Sequence, residues 1–345
     1  MPSKTNPVSR SAPARRRLLG AGIAGAVSLV CGPLASRPLR AAMAYPSRPV
    51  TIVVPYAAGG PADGLVRAIA EDLRRRLGQP FVPDFRSGAA GIIGAGAVAK
   101  APADGYTLLF SISDTLVNNV ALYRQLPYEP RRDFAFITQI GSLPLVLATH
   151  GGLRVSNLAE FADAARAQGG KISYGSGGGG TLFHLAGEVL LNRRLGLNAT
   201  HVPYRGIGPM TLDLVGQQIT AGFGLVPAYR GFAAEGRLRI LGLTGDTPVA
   251  GLPRVPTFGE LGHNEPILRM RQWGAFLSPA GTPSDIVMQL NAAVIAALDA
   301  PEVRAMLDVS GFERIANSPQ AARAALEHDL ATVVPLIREL GIEAQ

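Results

Sequence analysis

Two rhythms of apolar and polar positions alternate along this chain. Short β-branched and aromatic runs, bounded by glycine or proline, read as strands. Between them, apolar residues return every three or four positions, which is the period of a helix face. The run at residues 50–54 is a strand ended by Pro55. Leu65, Ile69, Leu73 and Leu77 then share one face of a helix over 63–77, with Arg67, Glu71, Arg74 and Arg75 off it and Gly78 as its C-cap. Further strands are predicted at 81–85, 106–110, 134–140, 145–148, 172–174, 201–204, 219–223 and 240–244. Residues 111–115 read as a polar turn after the third of these strands. Helices are predicted over 116–123, from Asn157 with Glu160 completing a capping box, over 181–195, and from Met210. Residues 245–266, rich in proline and glycine, read as a crossing loop. Thr282-Pro283-Ser284-Asp285 opens a helix over 283–299, with proline at its first position, and helices follow at 301–309 and 319–340.

Strand and helix alternating in this way predict an α/β fold with mainly parallel sheets. Two glycine turns, at 57–60 and 175–180, sit between a strand and a helix, one in each half of the chain. Facing halves would form a cleft lined by the C-terminal ends of strands, where open α/β sheets bind ligands. About 300 residues beyond the first 44 exceed one ordinary core, so two domains are expected.

Residues 1–44 read as a cleavable export leader. Arg15, Arg16 and Arg17 form its charged region, an apolar stretch from Leu18 to about Leu34 follows, and Ala42-Met43-Ala44 is the cleavage site. That stretch is shorter than the roughly 20 residues that span a bilayer, which argues against an anchor. General secretory and twin-arginine routes both remain open. Removal of the leader changes the charge picture. The chain carries 33 basic and 25 acidic residues, and the leader holds seven basic and no acidic ones. Without it, 26 basic residues face 25 acidic ones, so the basic pI gives no case for nucleic acid. The one cysteine, Cys31, lies in the leader, and its setting is a poor lipoprotein site. No disulfide or thiolate metal site is expected.

The chemistry suggested is anion capture. A strand, a glycine turn and a helix start present bare backbone N–H groups, and a carboxylate gains from both those donors and the helix dipole. The binding candidates are backbone donors at Ala58, Gly59, Gly60, Ser176, Gly177 and Gly178. Polar help is expected from Tyr56, Asp63, Ser111, Thr115, Thr181 and Arg205. Residues 175–180 hold five glycines in six positions. Tyr174 stands two residues before Ser176, so the G-x-S-x-G elbow of a serine hydrolase is absent. Gly94-Ala95-Gly96-Ala97-Val98-Ala99 is a weak dinucleotide fingerprint with no convincing strand leading into it. The five histidines lack metal spacing. His184 reads as structural, and Trp273 as core rather than a stacking platform. No catalytic residue, metal or cofactor is called for.

Several stretches together resemble the periplasmic receptors of tripartite tricarboxylate transporters, the Bug family. They are Tyr45-Pro46-Ser47-Arg48-Pro49-Val50, Val54-Pro55-Tyr56-Ala57-Ala58-Gly59-Gly60 with Asp63, Ala99-Lys100-Ala101-Pro102-Ala103-Asp104-Gly105-Tyr106-Thr107-Leu108, Leu126-Pro127-Tyr128, His184-Leu185-Ala186-Gly187-Glu188, His201-Val202-Pro203-Tyr204-Arg205-Gly206, Leu252-Pro253-Arg254-Val255-Pro256-Thr257 and Pro279-Ala280-Gly281-Thr282-Pro283. They occur in family order over essentially the whole chain after the leader. The resemblance implies a two-lobed, periplasmic-binding-protein-like (type II) fold with its ligand cleft between the lobes. It implies hinge closure on a small carboxylate and docking on membrane permease subunits. The expected lobes are 45–143 plus 245–345, and 144–244, in a monomer. A sensory receptor without a transport role is the alternative, and an enzyme acting on a small carboxylate comes after it. The chain departs from the family at Asp84-Phe85-Arg86-Ser87-Gly88, at Arg205 where lysine is usual, and at Gly222-Phe223-Gly224-Leu225. These departures suggest an apolar pocket end near Phe85 and Phe223.

Overall fold

The computed structural model describes residues 45–59, 61–249, 252 and 255–343. The expected leader and Gly60 lie outside the described residues. The strands are β1 Val50–Val54, β2 Phe81–Phe85, β3 Thr107–Ile112, β4 Phe134–Leu143, β5 Leu145–His150, β6 Lys171–Ser176, β7 Asn198–Pro203, β8 Ala221–Leu225, β9 Leu238–Leu243, β10 Gln272–Pro279 and β11 Glu313–Arg314. They form two sheets, ordered β11-β4-β10-β3-β1-β2 and β7-β6-β8-β5-β9. Helices flank both, giving two α/β lobes.

Both sheets are mixed, which corrects the expectation of mainly parallel sheets. In the first, β1 is parallel to β2 and β3, while β10 runs antiparallel to β3 and β4, and β11 antiparallel to β4. In the second, β6 is parallel to β7 and β8, while β5 is antiparallel to β8 and β9. The connections give the physical reason. Strands β5 and β10 each enter a sheet from the other one and begin where a neighbour ends, Leu145 opposite Leu225 and Gln272 opposite Leu143, so they run against those neighbours. After β4, across Pro144 alone, the chain passes directly into the second sheet. It re-enters the first through β10, a strand that the sequence pattern did not reveal.

The helix Pro61–Leu77 buries Leu65, Ile69 and Leu73 against Val50, Ile52, Val54 and Phe110, the face its periodicity predicts. In the second lobe, Met210, Leu214 and Tyr229 pack on Val146 and Ala148. A third cluster joins the lobes, with Val53, Leu109, Phe136 and Leu277 from the first sheet and Leu145, Leu147, Tyr174 and Phe223 from the second. Trp273 is buried there, and its Nε1–H donates to Asp329 Oδ2 at 2.7 Å on the long helix Pro319–Leu340.

Several boundaries moved. Ser111 lies inside β3, and the helical turn Ser113–Leu116 follows where a polar turn was expected. Pro283 is the N-cap, not the first residue, of the helix Ser284–Ala297. The dinucleotide-like glycines lie within the helix Ile92–Ala99. A Cβ on Gly94 would meet Pro55 Cβ at 2.8 Å, so close packing explains that glycine.

Candidate functional site

A cavity of about 470 Å³ lies where strand ends from both sheets meet. Tyr56 follows β1, Ile112 and Asp114 end or follow β3, and Leu143 ends β4. From the second sheet, Gly177 and Thr181 follow β6, Arg205 and Ile207 follow β7, and Leu225 ends β8. Most of the wall is apolar, including Leu143, Phe183, Leu225 and Phe312. Arg205 is the one cation among the lining residues. It is exposed, with no ion pair or hydrogen bond among the described residues, so its guanidinium is available to a carboxylate.

The sequence candidates divide into those on this wall and those beside or behind it. Tyr56, Gly177, Thr181 and Arg205 line the cavity. Ser111 and Thr115 are buried and bind the Tyr56 hydroxyl, at 3.3 and 3.0 Å. That hydroxyl also accepts from the Ile112 N–H at 2.9 Å, so the cluster ties β1 to the end of β3. Burial raises the Tyr56 pKa, and the tyrosine stays neutral.

The first glycine turn is exposed at Ala57, Ala58 and Gly59, and its Ala57 lines the cavity. The Gly59 N–H donates to Asp63 Oδ2 at 2.7 Å, while Arg67 Nε donates to Asp63 Oδ1 at 2.5 Å. The Gly59 hydrogen bond, foremost, holds the Asp63 pKa below its usual value. Asp63 thus closes the turn from within the chain.

The second glycine turn is braced from behind. Ser176 is buried, and its Oγ donates to Gly178 O at 2.9 Å and accepts from Gly178 N at 3.2 Å. Ser176 Oγ is also hydrogen-bonded to His201 Nε2 at 2.7 Å, the donor being set by the His201 tautomer. His184 Nδ1 accepts from Gly180 N at 3.0 Å, and Thr181 caps the helix Leu182–Gly187 while donating to Gly178 O at 2.8 Å. Burial, first, lowers the pKa of both histidines, with His201 brought down to about 3. Both rings are neutral at ordinary pH and serve as hydrogen-bonding struts.

Residues 65–342 match the tripartite tricarboxylate transporter family receptor. The chain is 36% identical over 306 residues to the UPF0065 protein in the tcbD-tcbE intergenic region of Pseudomonas sp. (strain P51), covering 89% of this chain and 88% of that protein. The chain belongs to this receptor family. Among solved structures, R. palustris Rpa4515 with adipate is 33% identical, with a TM-score of 0.76 over 87% of this chain and all of that one. The periplasmic binding protein BugD is 30% identical, with a TM-score of 0.74 over 87% of this chain and all of that one. The receptor therefore has the periplasmic binding-protein fold, and its family is one of binding proteins, not enzymes.

Two features of this receptor's cavity escaped the sequence reading. Phe85 and Phe223 do not line it. Phe223 is fully buried against Phe258, and the Phe85 ring lies under the Arg67 guanidinium, 5.0 Å from it. The apolar wall comes instead from residues at element ends, which no periodicity marks. Asp114 and Gln272 also reach the cavity. An acidic residue inside the run Ser111–Thr115 was the available signal for the first; the unread strand β10 hid the second.

Proposed function

We propose that this chain is an exported receptor that captures a small carboxylate and delivers it to the membrane permease subunits of a tripartite tricarboxylate transporter. Residues 45–143 with 245–345 form one lobe and 144–244 the other; residues 1–44 are removed on export. Ligand contacts from both lobes shift a hinged equilibrium toward closure. The receptor works as a monomer, with no cofactor and no nucleic-acid partner. The observation that carries this reading is the cavity at the strand ends of both sheets, with the Arg205 guanidinium, unpaired among the described residues, on a largely apolar wall. The carboxylate rests on Arg205 and on backbone donors of the two glycine turns, of which Gly177 faces the cavity directly. A relative solved with adipate supports a carboxylate as the ligand class.

Thermal denaturation of the protein, refolded from denaturant to strip bound ligand, tests this against mono-, di- and tricarboxylates. A ligand at about 100 times its Kd adds roughly 2.7 kcal/mol and a clear rise in Tm. A flat response to every acid, from folded protein, overturns the carboxylate reading.

A further inference from the structure

Within the receptor reading, on which it rests, the cavity contains one group with no role yet. Asp114 stands on the helical turn Ser113–Leu116, just past β3, and lines the cavity from the first lobe. Arg205 lines it from the loop after β7 in the second lobe. The Asp114 carboxylate is poorly served by the protein. Its Oδ2 accepts from the Leu182 N–H at the long distance of 3.4 Å, and the Gln272 amide is its side-chain partner. Oδ1 is buried with no hydrogen-bond partner among the described residues, while the residue as a whole keeps partial exposure at the cavity. None of the ion pairs among the described residues includes Asp114. Desolvation foremost, with some repulsion from Asp329, raises its pKa to about 6, so the group is still mostly ionised at neutral pH.

A carboxylate with neither a cation nor a full set of donors, beside a wall of Leu143, Phe183, Leu225 and Phe312, is costly unless something else satisfies it. We propose that Asp114 determines specificity by accepting a hydrogen bond from an ammonium or hydroxyl group of the ligand. The preferred ligand is then a monocarboxylate whose apolar body carries one hydrogen-bond donor. Arg205 takes the carboxylate, the apolar wall takes the body, and Asp114 takes the donor. The same group selects against dicarboxylates, because a second ligand carboxylate would meet a like charge in a partly dehydrated site.

Titration calorimetry on the refolded protein with length-matched probes tests this. The aliphatic set is hexanoate, its terminal hydroxy and terminal amino derivatives, and hexanedioate. The aromatic set is benzoate, its para-hydroxy and para-aminomethyl derivatives, and terephthalate. In at least one set, the hydroxy or amino acid is expected to bind about tenfold or more tighter than the parent acid, with the diacid weakest. Comparing the two derivatives tells ammonium from hydroxyl. Asp114→Asn, nearly isosteric, should abolish the preference for the amino derivative over the parent and raise diacid affinity. A diacid bound as tightly as either donor-bearing acid overturns the proposal while leaving the receptor reading intact. An affinity order unchanged by Asp114→Asn does the same. Failure of every acid to bind overturns the receptor reading and this proposal with it. The order of affinities in the unmodified protein decides the matter even if the variant does not fold.

Discussion

His184 and His201 stack face to face, with ring centroids 3.6 Å apart and planes 9° from parallel. Each ring ends in a bond to the second glycine turn, His184 to Gly180 and His201 to Ser176. Tyr174 lies against both rings, and Glu188 binds the Tyr174 hydroxyl at 2.6 Å. Glu188 Oε1 is 3.9 Å from His184 Nε2. A proton on one ring opposes a proton on the other, in a site where burial already disfavours the charge.

That pair sets an acid sensitivity. Both histidines have folded pKa values below the usual 6.5, so below about pH 6.5 the unfolded chain binds more protons than the folded one. Their contribution to stability is lost as pH falls, at no more than about 1.4 kcal/mol per pH unit for each group. His201→Gln, whose amide offers Ser176 either a donor or an acceptor, should be less stable than the parent at pH 7.5. The gap should narrow steadily between pH 6.5 and 4.5. Urea unfolding across that range checks this, and a constant gap would show that His201 does not titrate on unfolding.

Asp329 acts in the opposite direction. Burial raises its pKa to about 6, so its carboxyl favours the folded state below about pH 4, and that benefit is lost as pH rises through 6. Asp329→Asn keeps an acceptor for the Trp273 indole and removes the charge. It should stabilise the protein by up to about 3 kcal/mol at pH 8 and by close to nothing at pH 4. Denaturant midpoints at the two pH values measure the difference.

Gly180 holds φ at +72°, and a Cβ there would fall 2.5 Å from both Leu122 methyl carbons. Gly180→Ala should cost about 1–2 kcal/mol for the left-handed backbone and about 1–3 kcal/mol for overpacking. Adding Leu122→Ala should relieve only the second part. A double-mutant cycle from thermal melts separates them.

Arg205 is exposed and has no ion pair or hydrogen bond among the described residues, so Arg205→Ala should change folding stability by no more than about 0.5 kcal/mol. Carboxylate affinity should fall about tenfold or more, because a charge-assisted bond is lost. Titration at low and high salt reads both the affinity and its ionic-strength dependence.

Legibility in the sequence tracked how locally each feature is encoded. Asn157 and Glu160 announced their helix, and the Asn157 side chain does accept from Glu160 N at 2.9 Å. Glu160 reaches back to the N–H of Ser156 rather than that of Asn157. The face of Leu65, Ile69 and Leu73 was equally plain. Strand β10 was not, because Gln272–Pro279 is buried along its whole length and so shows no alternation. The two glycine turns were visible as composition. The sequence could not say which of their N–H groups the chain itself occupies. Gly59 and Gly178 are engaged by Asp63 and Ser176, partners four and two residues away, and only coordinates distinguish such a bond from a ligand contact.

The bond from Gly59 to Asp63 has a thermodynamic consequence. Asp63 already supplies that N–H with a carboxylate, tethered four residues away and backed by Arg67. Any incoming anion that takes this donor must displace one of its own kind. Recognition through the Gly59 N–H is therefore an exchange reaction, nearly balanced in hydrogen bonds. Discrimination among anions falls to the parts of the cavity that have no tethered competitor.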